Sequence, residues 1–405
     1  MSRRRVDPQP TQGNIANSGR RSNRTNRRAP VATITVEKAH GLAVLSHSDR
    51  RLLSLVLGVC AAAGILNNAQ GNPVVSFFIS AIALGAIARL LVRSVEAVSE
   101  RIGRGMNGLL QSILGNLPEI FVILFALNAG LYGIVKATIV GSIIANILLV
   151  MGIAFFVGGR KFGRQTFNES SVRQLSMLLA LSVFVLSIPT LTASFNTPAV
   201  DFAHELTFII SLLLIVLFLV SLPETIRNAN HESPVSGTNE ALAAAREAEP
   251  HGQWPIQIAV LMFLIAIAGS VFVSKWFVDQ LPTAMATLGI SEAFAGLIIV
   301  ALASNAVESF AGIQLASRDQ QSYALQIILQ SPVQIAMIVT PVIALAAPFV
   351  GATAFTLVLS PILLAVLFMA VFIAIVVVFD GSSTWFEGAA LITLYLGIAA
   401  AFWWG

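Results

Sequence analysis

Two asparagine–glutamate pairs with the same spacing are the residues of this chain best suited to binding an ion. Asn116 lies three residues before Glu119, and Asn305 lies three residues before Glu308. Residues three apart share one face of a helix, so each pair presents an amide oxygen beside a carboxylate. These hard oxygen ligands suit Ca²⁺, which takes about 6 to 8 of them, better than zinc or copper. The five histidines of the chain lie outside both pairs, which argues against a soft-metal site.

Small polar residues follow each pair in the next apolar segment. A serine lies 23 residues after each glutamate, at Ser142 and at Ser331. The repeated order predicts a duplicated unit, and Asn146 and Gln334 add amide oxygens near the serines. Two alternatives stay open: the acids are buried in neutral form against neighbouring helices, or the small polar residues are contacts between helices.

The composition indicates the surroundings of these residues. Of the 405 residues, 56% are hydrophobic and 11% are charged, whereas a soluble protein has about a quarter charged residues. Uncharged runs such as 175–200 and 256–274 are close to or above the about 20 residues that a helix needs to cross a bilayer. The chain is therefore predicted to be an all-α polytopic membrane protein surrounded by lipid.

Eleven transmembrane helices are predicted from the apolar runs. Lys and Arg concentrate before the first helix and after the even-numbered ones, and only Lys136 and Lys275 lie on the opposite side. Because Lys and Arg mark the cytoplasmic side, the N-terminus is predicted to be cytoplasmic. The predicted helices are 52–69, 73–93, 107–128, 134–158, 174–193, 203–223, 255–276, 293–316, 323–346, 353–379 and 385–404.

The predicted organisation is two inverted repeats of five helices plus one N-terminal helix. A unit of five spans ends on the side opposite to its start, so its duplicate is inverted, and Glu119 and Glu308 converge near the middle of the bilayer. The 1–50 region lacks apolar periodicity and interleaved aromatic residues, so nucleic-acid binding is not predicted. The predicted parts are a disordered basic cytoplasmic tail (1–50), the first transmembrane helix (51–70), the first repeat (71–227), a cytoplasmic linker (228–254) and the second repeat (255–405).

Five segments resemble the calcium/proton exchanger family of the calcium/cation antiporter superfamily, and the resemblance covers residues 73 to 404. They are GLLQSILGNLPEI, KATIVGSIIANILLVMGIAFFVGG, SNAVESFAGIQLASRD, LQSPVQIAMIVTP and DGSSTWFEGAALITLYLGIAAAF. The resemblance implies an eleven-helix fold with two inverted repeats, in agreement with the prediction above. It also implies that the metal site consists of Glu119 and Glu308 as the cation-binding acids, with Asn116, Asn305, Ser142, Asn146, Ser331 and Gln334 around them.

The second repeat departs from the family pattern at several positions. Ser309 stands where the family has a histidine, and Gln330 and Pro332 replace a glycine and a serine. Both acids are present, so transport is still expected. These substitutions change the second half of the predicted site, and with it the basis for predicting which cation is selected.

The predicted function is a proton-coupled cation antiporter that exports Ca²⁺ from the cytoplasm by alternating access. Two carboxylates match the charge of one divalent ion and take up protons when it leaves, because two bare carboxylates in a low-dielectric cavity are costly. The alternatives are a Na⁺ or K⁺/H⁺ antiporter, a Na⁺/Ca²⁺ exchanger of the same superfamily and a cation channel.

An enzyme is not predicted, because the spans offer no Ser/His pair, histidine cluster or aspartate pair for an intramembrane hydrolase. Ca²⁺ and H⁺ are expected as transported ions, and no cofactor is expected. The predicted location is the plasma membrane of a prokaryote, as a multi-pass protein. The sequence does not determine the oligomeric state.

Overall fold

Helices account for nearly all of the chain that the structure describes. This computed structural model describes residues 45–69, 71–99, 114–231 and 254–405. The predictions for the tail before residue 45 and for most of the linker lie outside the described residues. The helices are α1 (His47–Asn68), α2 (Pro73–Ser99), α3 (Leu117–Asn128), α4 (Tyr132–Phe162), α5 (Glu169–Ser194), α6 (Ala203–His231), α7 (Ile256–Leu288), α8 (Glu292–Ser304), α9 (Ala306–Ala316), α10 (Gln321–Val350), α11 (Pro361–Val378) and α12 (Trp385–Phe402).

Nine helices in the described ranges are long and apolar enough to cross a membrane, and α8 with α9 makes a tenth candidate if the bent pair is one span. α3 has 12 residues and is shorter than a span. The start of the predicted span 107–128 lies outside the described residues. The prediction of an all-helical protein with many spans is confirmed, and the count of eleven stays a prediction.

The predicted span 293–316 is wrong in one respect, because it is two helices and not one. α8 and α9 meet at an angle of 66°, with φ −101° and ψ 11° at Asn305 between them. The side-chain amide of Asn305 donates to the carbonyl of Ala301 at 3.0 Å and competes with the backbone for it. The interruption comes directly before the acidic first turn of α9.

The start of α1 is held against two other helices. α1 begins at His47, before the predicted residue 52, because Ser46 and Asp49 form a capping box. Asp49 is buried, accepts a hydrogen bond from Trp254 Nε1 at 2.8 Å and lies 3.5 Å from Arg93 Nε. Trp254, the last residue of the predicted cytoplasmic linker, is buried. The start of α1, the end of α2 and the residues before α7 therefore meet at one end of the helices.

Contacts nearer the other end show that α2 runs antiparallel to α7. The rings of Phe77 and Phe277 stack with centroids 4.8 Å apart, and Gln280 Nε2 donates to Asn67 Oδ1 at 3.2 Å. The start of α2 and the later part of α7 are thus neighbours, as are the end of α1 and the later part of α7.

The described residues form one β-sheet, a two-stranded antiparallel ribbon. It pairs β1 (Gln165–Thr166) with β2 (Ser382–Ser383), so it joins the α4–α5 connection to the α11–α12 connection. Gln165 Nε2 also donates to Asp319 Oδ1 at 2.7 Å, in the α9–α10 connection. These three connections therefore lie at the same end of the helices. This is expected when successive spans cross the membrane in alternating directions.

α11 begins at Pro361 and not at residue 353 as predicted. Ser360 is its N-cap and accepts a hydrogen bond from Leu363 N. The chain before it is non-helical because side chains of other helices hold its backbone: Leu359 N donates to Thr190 Oγ1 at 2.9 Å, and Leu357 N donates to Thr207 Oγ1 at 3.1 Å.

Candidate functional site

Each predicted acid lies in the first turn of a short helix that begins after the paired asparagine. Asn116 precedes α3, which carries Glu119, and Asn305 precedes α9, which carries Glu308. Neither asparagine caps its own helix through its side chain, so both amides are available to other helices. The amino-terminal end of a helix favours negative charge, which suits a carboxylate placed there.

Residues from both halves of the chain contact Glu119. Ser142 Oγ donates to Glu119 Oε1 at 2.5 Å. Asn305 Nδ2, from the second half, lies 3.3 Å from the same oxygen and 2.9 Å from Ser142 Oγ. Glu119 is buried, with 2% of its surface exposed. The predicted partners Ser142 and Asn305 are therefore both in contact with the first acid.

Ser331 links the second acid to the first half of the chain. Its hydroxyl approaches the carboxylate of Glu308 and lies 3.5 Å from Asn305 Oδ1. Asn146 Nδ2 lies 3.3 Å from Ser331 Oγ and donates to the backbone carbonyl of Ser142 at 2.9 Å. This arrangement mirrors the one around Glu119, since each serine approaches the acid of its own half.

A third bridge joins the remaining two predicted residues. Asn116 Nδ2 donates to Gln334 Oε1 at 3.0 Å, and both residues are buried. Seven of the eight predicted site residues therefore take part in hydrogen bonds that connect the two halves, and Ser331 lies beside the eighth, Glu308.

Three buried oxygens of this cluster have no hydrogen-bond partner among the described residues. They are Glu119 Oε2, Glu308 Oε2 and Asn146 Oδ1. A buried acceptor without a donor costs about 1 to 3 kcal/mol, and more when it is charged. No group of three or more His, Cys, Asp or Glu occurs in the part of the chain that the structure describes. A cation here would be bound by two carboxylates together with amide, hydroxyl and carbonyl oxygens.

π-helical turns flank the site residues on three helices. They cover Ala145–Val150 in α4, Ala295–Val300 in α8 and Ile335–Val339 in α10. The first contains Asn146, and the third directly follows Gln334. Such turns are often found at functional sites because they displace backbone groups from the regular hydrogen-bond pattern.

Two glycines let α4 and α8 cross in close contact beside the site. A Cβ at Gly141 would overlap the backbone carbonyl of Leu297, and a Cβ at Gly296 would lie 2.6 Å from the carbonyl oxygen of Ile134. Sequence reasoning missed both glycines and missed Thr138, a buried residue at the same crossing. Small residues at helix interfaces in membranes were the available signal.

The sequence comparisons identify relatives along most of the chain. Residues 72–223 and 258–404 match the family described as sodium/calcium exchanger protein. The chain is 32% identical over 355 residues to the Ca²⁺/H⁺ antiporter ChaA of Bacillus subtilis (strain 168), covering 86% of this chain and 99% of that protein. It is 29% identical over 339 residues to a Ca²⁺/H⁺ antiporter of Aphanothece halophytica, covering 81% of this chain and 90% of that protein.

Solved structures show the same fold. The structure of native YfkE matches with a TM-score of 0.72 at 30% identity, covering 87% of this chain and 99% of that chain. The crystal structure of the H⁺/Ca²⁺ exchanger CAX matches with a TM-score of 0.67 at 17% identity, covering 88% and 92% of the two chains. At that identity the second match concerns the fold alone.

Proposed function

Because the chain belongs to the sodium/calcium exchanger protein family, we propose that it is a Ca²⁺/H⁺ antiporter that exports Ca²⁺ from the cytoplasm. The observation that carries the proposal is the pair of acids, Glu119 and Glu308, each with a buried oxygen for which the described residues supply no donor. The relatives named as Ca²⁺/H⁺ antiporters in Bacillus subtilis and Aphanothece halophytica support the choice of ions.

The exchange follows from the charge of the site. Ca²⁺ brings two positive charges, which balance the carboxylates of Glu119 and Glu308. When the ion leaves, two protons restore that balance, because bare carboxylates in a low-dielectric cavity are very costly. Ca²⁺ and H⁺ then occupy the same groups in turn. The carrier reorients only with these charges neutralised, which prevents leakage of either ion alone.

The proposed metal ligands are the two acids and the polar groups that hold them. Ser142 and Asn305 hold Glu119 through hydrogen bonds, and Ser331 lies beside Glu308. Asn146 offers its Oδ1, which has no partner among the described residues, as a neutral ligand. The bridge between Asn116 and Gln334 closes the set and places two more amide oxygens beside it.

Eleven spans with two inverted repeats of five, and a cytoplasmic N-terminus, belong to the same proposal. Three site residues of the first half have a counterpart of the same type 189 positions later, which supports a duplicated unit: Asn116, Glu119 and Ser142. Shifted by the same 189 positions, the π-helical turn Ala145–Val150 overlaps the turn Ile335–Val339, which supports the duplication further. With the N-terminus in the cytoplasm, α4 starts at the outer surface of the membrane. The bacterial and cyanobacterial relatives support a prokaryotic plasma membrane.

The test is Ca²⁺ uptake into proteoliposomes driven by an imposed pH gradient. We expect uptake by the wild type and none by Glu119→Gln or Glu308→Gln, because each change removes one ligand charge and one proton-binding group. Glu292→Gln, which alters an exposed acid at the start of α8, is the control and should retain uptake.

Two results would contradict the proposal. Full pH-driven uptake by either glutamine variant of the site would reject the assignment of that acid. Uptake driven by a Na⁺ gradient and not by a pH gradient would make the protein a Na⁺/Ca²⁺ exchanger instead.

A further inference from the structure

Thr138 has a buried hydroxyl that no group in the described residues satisfies. It is 1% exposed, and its Oγ1 has no hydrogen-bond partner there. Buried hydroxyls in helices ordinarily donate to the carbonyl four residues earlier, as Thr207 and Ser211 do at 2.7 Å. The corresponding carbonyl for Thr138 belongs to Ile134, and its oxygen packs against Gly296 of α8. The unsatisfied hydroxyl of Thr138 therefore lies where α4 and α8 cross in close contact.

The position of Thr138 relates it directly to the site. Thr138, Ser142 and Asn146 are spaced by four residues in α4, so they form a stripe along one helix face. Thr138 lies one turn, about 6 Å, closer to the start of α4 than Ser142. In the second half, the equivalent stripe in α10 consists of Ile327, Ser331 and Ile335. The extra hydroxyl is thus a feature of the first half alone.

We propose that Thr138 is an additional cation ligand on the outer side of Glu119, which the ion contacts as it passes between the site and the outer surface. The inference rests on the proposed function and on the orientation in which α4 starts outside. The hydroxyl supplies a neutral oxygen one turn above Ser142 at the crossing with Gly296. Ile327, the equivalent residue of α10, has no hydroxyl, so the additional contact with the ion exists on one side of the membrane only.

The experiment compares Ca²⁺ transport from the two faces of oriented membrane vesicles. Thr138→Val keeps the shape and removes the hydroxyl, and Thr138→Ser keeps the hydroxyl. We expect Thr138→Val to raise the KM for Ca²⁺ at the outer face by about tenfold, the effect of losing one bond to a charged partner. The KM at the inner face should stay within about twofold, and Thr138→Ser should behave like the wild type at both faces.

Thr340→Val is the matched control. Thr340 is also a buried threonine, but its hydroxyl donates to the carbonyl of Ile335 at 2.8 Å. Its replacement should leave KM unchanged at both faces. An unchanged outer KM for Thr138→Val, an equal rise at both faces, or failure of Thr138→Ser to restore transport would each overturn the assignment of Thr138. Absence of Ca²⁺/H⁺ exchange in the wild type would instead reject the proposed function and the inference with it.

A labelling experiment covers the case in which Thr138→Val does not fold. In a Cys60→Ala background, which removes the native cysteine, Thr138→Cys should react with a membrane-impermeant thiol reagent added outside. Ca²⁺ should protect it. Reaction that is insensitive to Ca²⁺, or that occurs only from the inside, would contradict the inference.

Discussion

Asn305 donates through its side-chain amide to Glu119 at 3.3 Å, although 186 residues separate them. The same nitrogen lies 2.9 Å from the hydroxyl of Ser142, which itself donates to Glu119. The residue that interrupts the helix in the second half therefore orients the acid of the first half. Substitutions in the second half should therefore change the affinity with which Glu119 binds the ion.

Asn305→Ala tests this dependence. We expect the affinity for Ca²⁺ to fall by about ten- to a hundredfold, because Glu119 loses a hydrogen bond of the kind worth about 1.5 to 3 kcal/mol. Calcium binding to the purified protein measures the effect. Asn128→Ala, which removes an exposed amide bonded to Val350 O, should leave the affinity unchanged. Equal losses in both variants would count against a specific role for Asn305.

Lower pH should weaken the binding of Ca²⁺. Protons and Ca²⁺ compete for Glu119 and Glu308 in the proposed mechanism, so the affinity rises with pH over the range in which the acids lose their protons. Calorimetry in buffers of different ionisation enthalpy counts the protons released per ion. Glu308→Gln should release fewer protons wherever it still binds measurably. Binding without proton release from about pH 5 to 8 would indicate a separate proton path.

Gly141→Ala should destabilise the protein and reduce transport. The new methyl group would overlap the backbone of Leu297, and overpacking of this kind costs about 1 to 3 kcal/mol. Thermal unfolding in detergent measures the fall in Tm. Gly397→Ala in α12 is the control, since no atom of the described residues lies within 4 Å of its added methyl. Similar Tm values for the two variants would show that the crossing tolerates expansion.

Asp49→Asn should lower the Tm strongly. Asp49 is buried beside Arg93 and accepts a hydrogen bond from Trp254, so its loss leaves a buried guanidinium with less compensation. Removing one partner of a buried pair costs about 3 to 5 kcal/mol. Asp279→Asn is the control, because its ion pair with Lys275 is exposed and such pairs contribute about 0 to 1 kcal/mol. An equal effect of the two changes would contradict this expectation.

Asp380 gives the α11–α12 connection a pH-dependent contribution to stability. The hydrogen bond from the Ser382 hydroxyl, together with the Ser382 backbone N–H and the nearby Arg164, holds the pKa of Asp380 below its ordinary value. A lowered folded-state pKa means that the contribution is present above the ordinary value and is lost as the pH falls through the folded one. Asp380→Asn should therefore lower the Tm slightly at neutral pH and have no effect in strong acid. A difference that persists in acid would exclude this cause.

The candidate site could be proposed from the sequence because its residue types are repeated. Acids within apolar segments are rare, and the same spacing from asparagine to glutamate to serine occurs twice. The break at Asn305 was not predicted, because the segment around it is apolar enough to form one continuous span. Its cause is a side chain that competes for a backbone carbonyl, which hydrophobic periodicity does not register.

The features that were missed depend on which helices are neighbours. Gly141 and Gly296 matter only because α4 and α8 cross at these residues. Thr138 is noticed only because its hydroxyl has no partner among the described residues and lies one turn from Ser142 at this crossing. The late start of α11 has the same origin, since Thr190 and Thr207 of other helices hold the preceding backbone. The capping box at Ser46 and Asp49 is different, because its spacing was visible in the sequence.

The crossing of α4 and α8 also bears on discrimination by ionic radius. α4 carries Ser142 and Asn146, and α8 leads directly into Asn305, so the separation of these two helices sets the separation of the oxygens in the proposed cation site. Selection between cations of equal charge depends on cavity size and on the flexibility of the ligands. A methyl group at Gly296 would hold the helices farther apart and favour Sr²⁺ or Ba²⁺ over Ca²⁺. The size of ion accepted then depends on a residue that contributes no ligand.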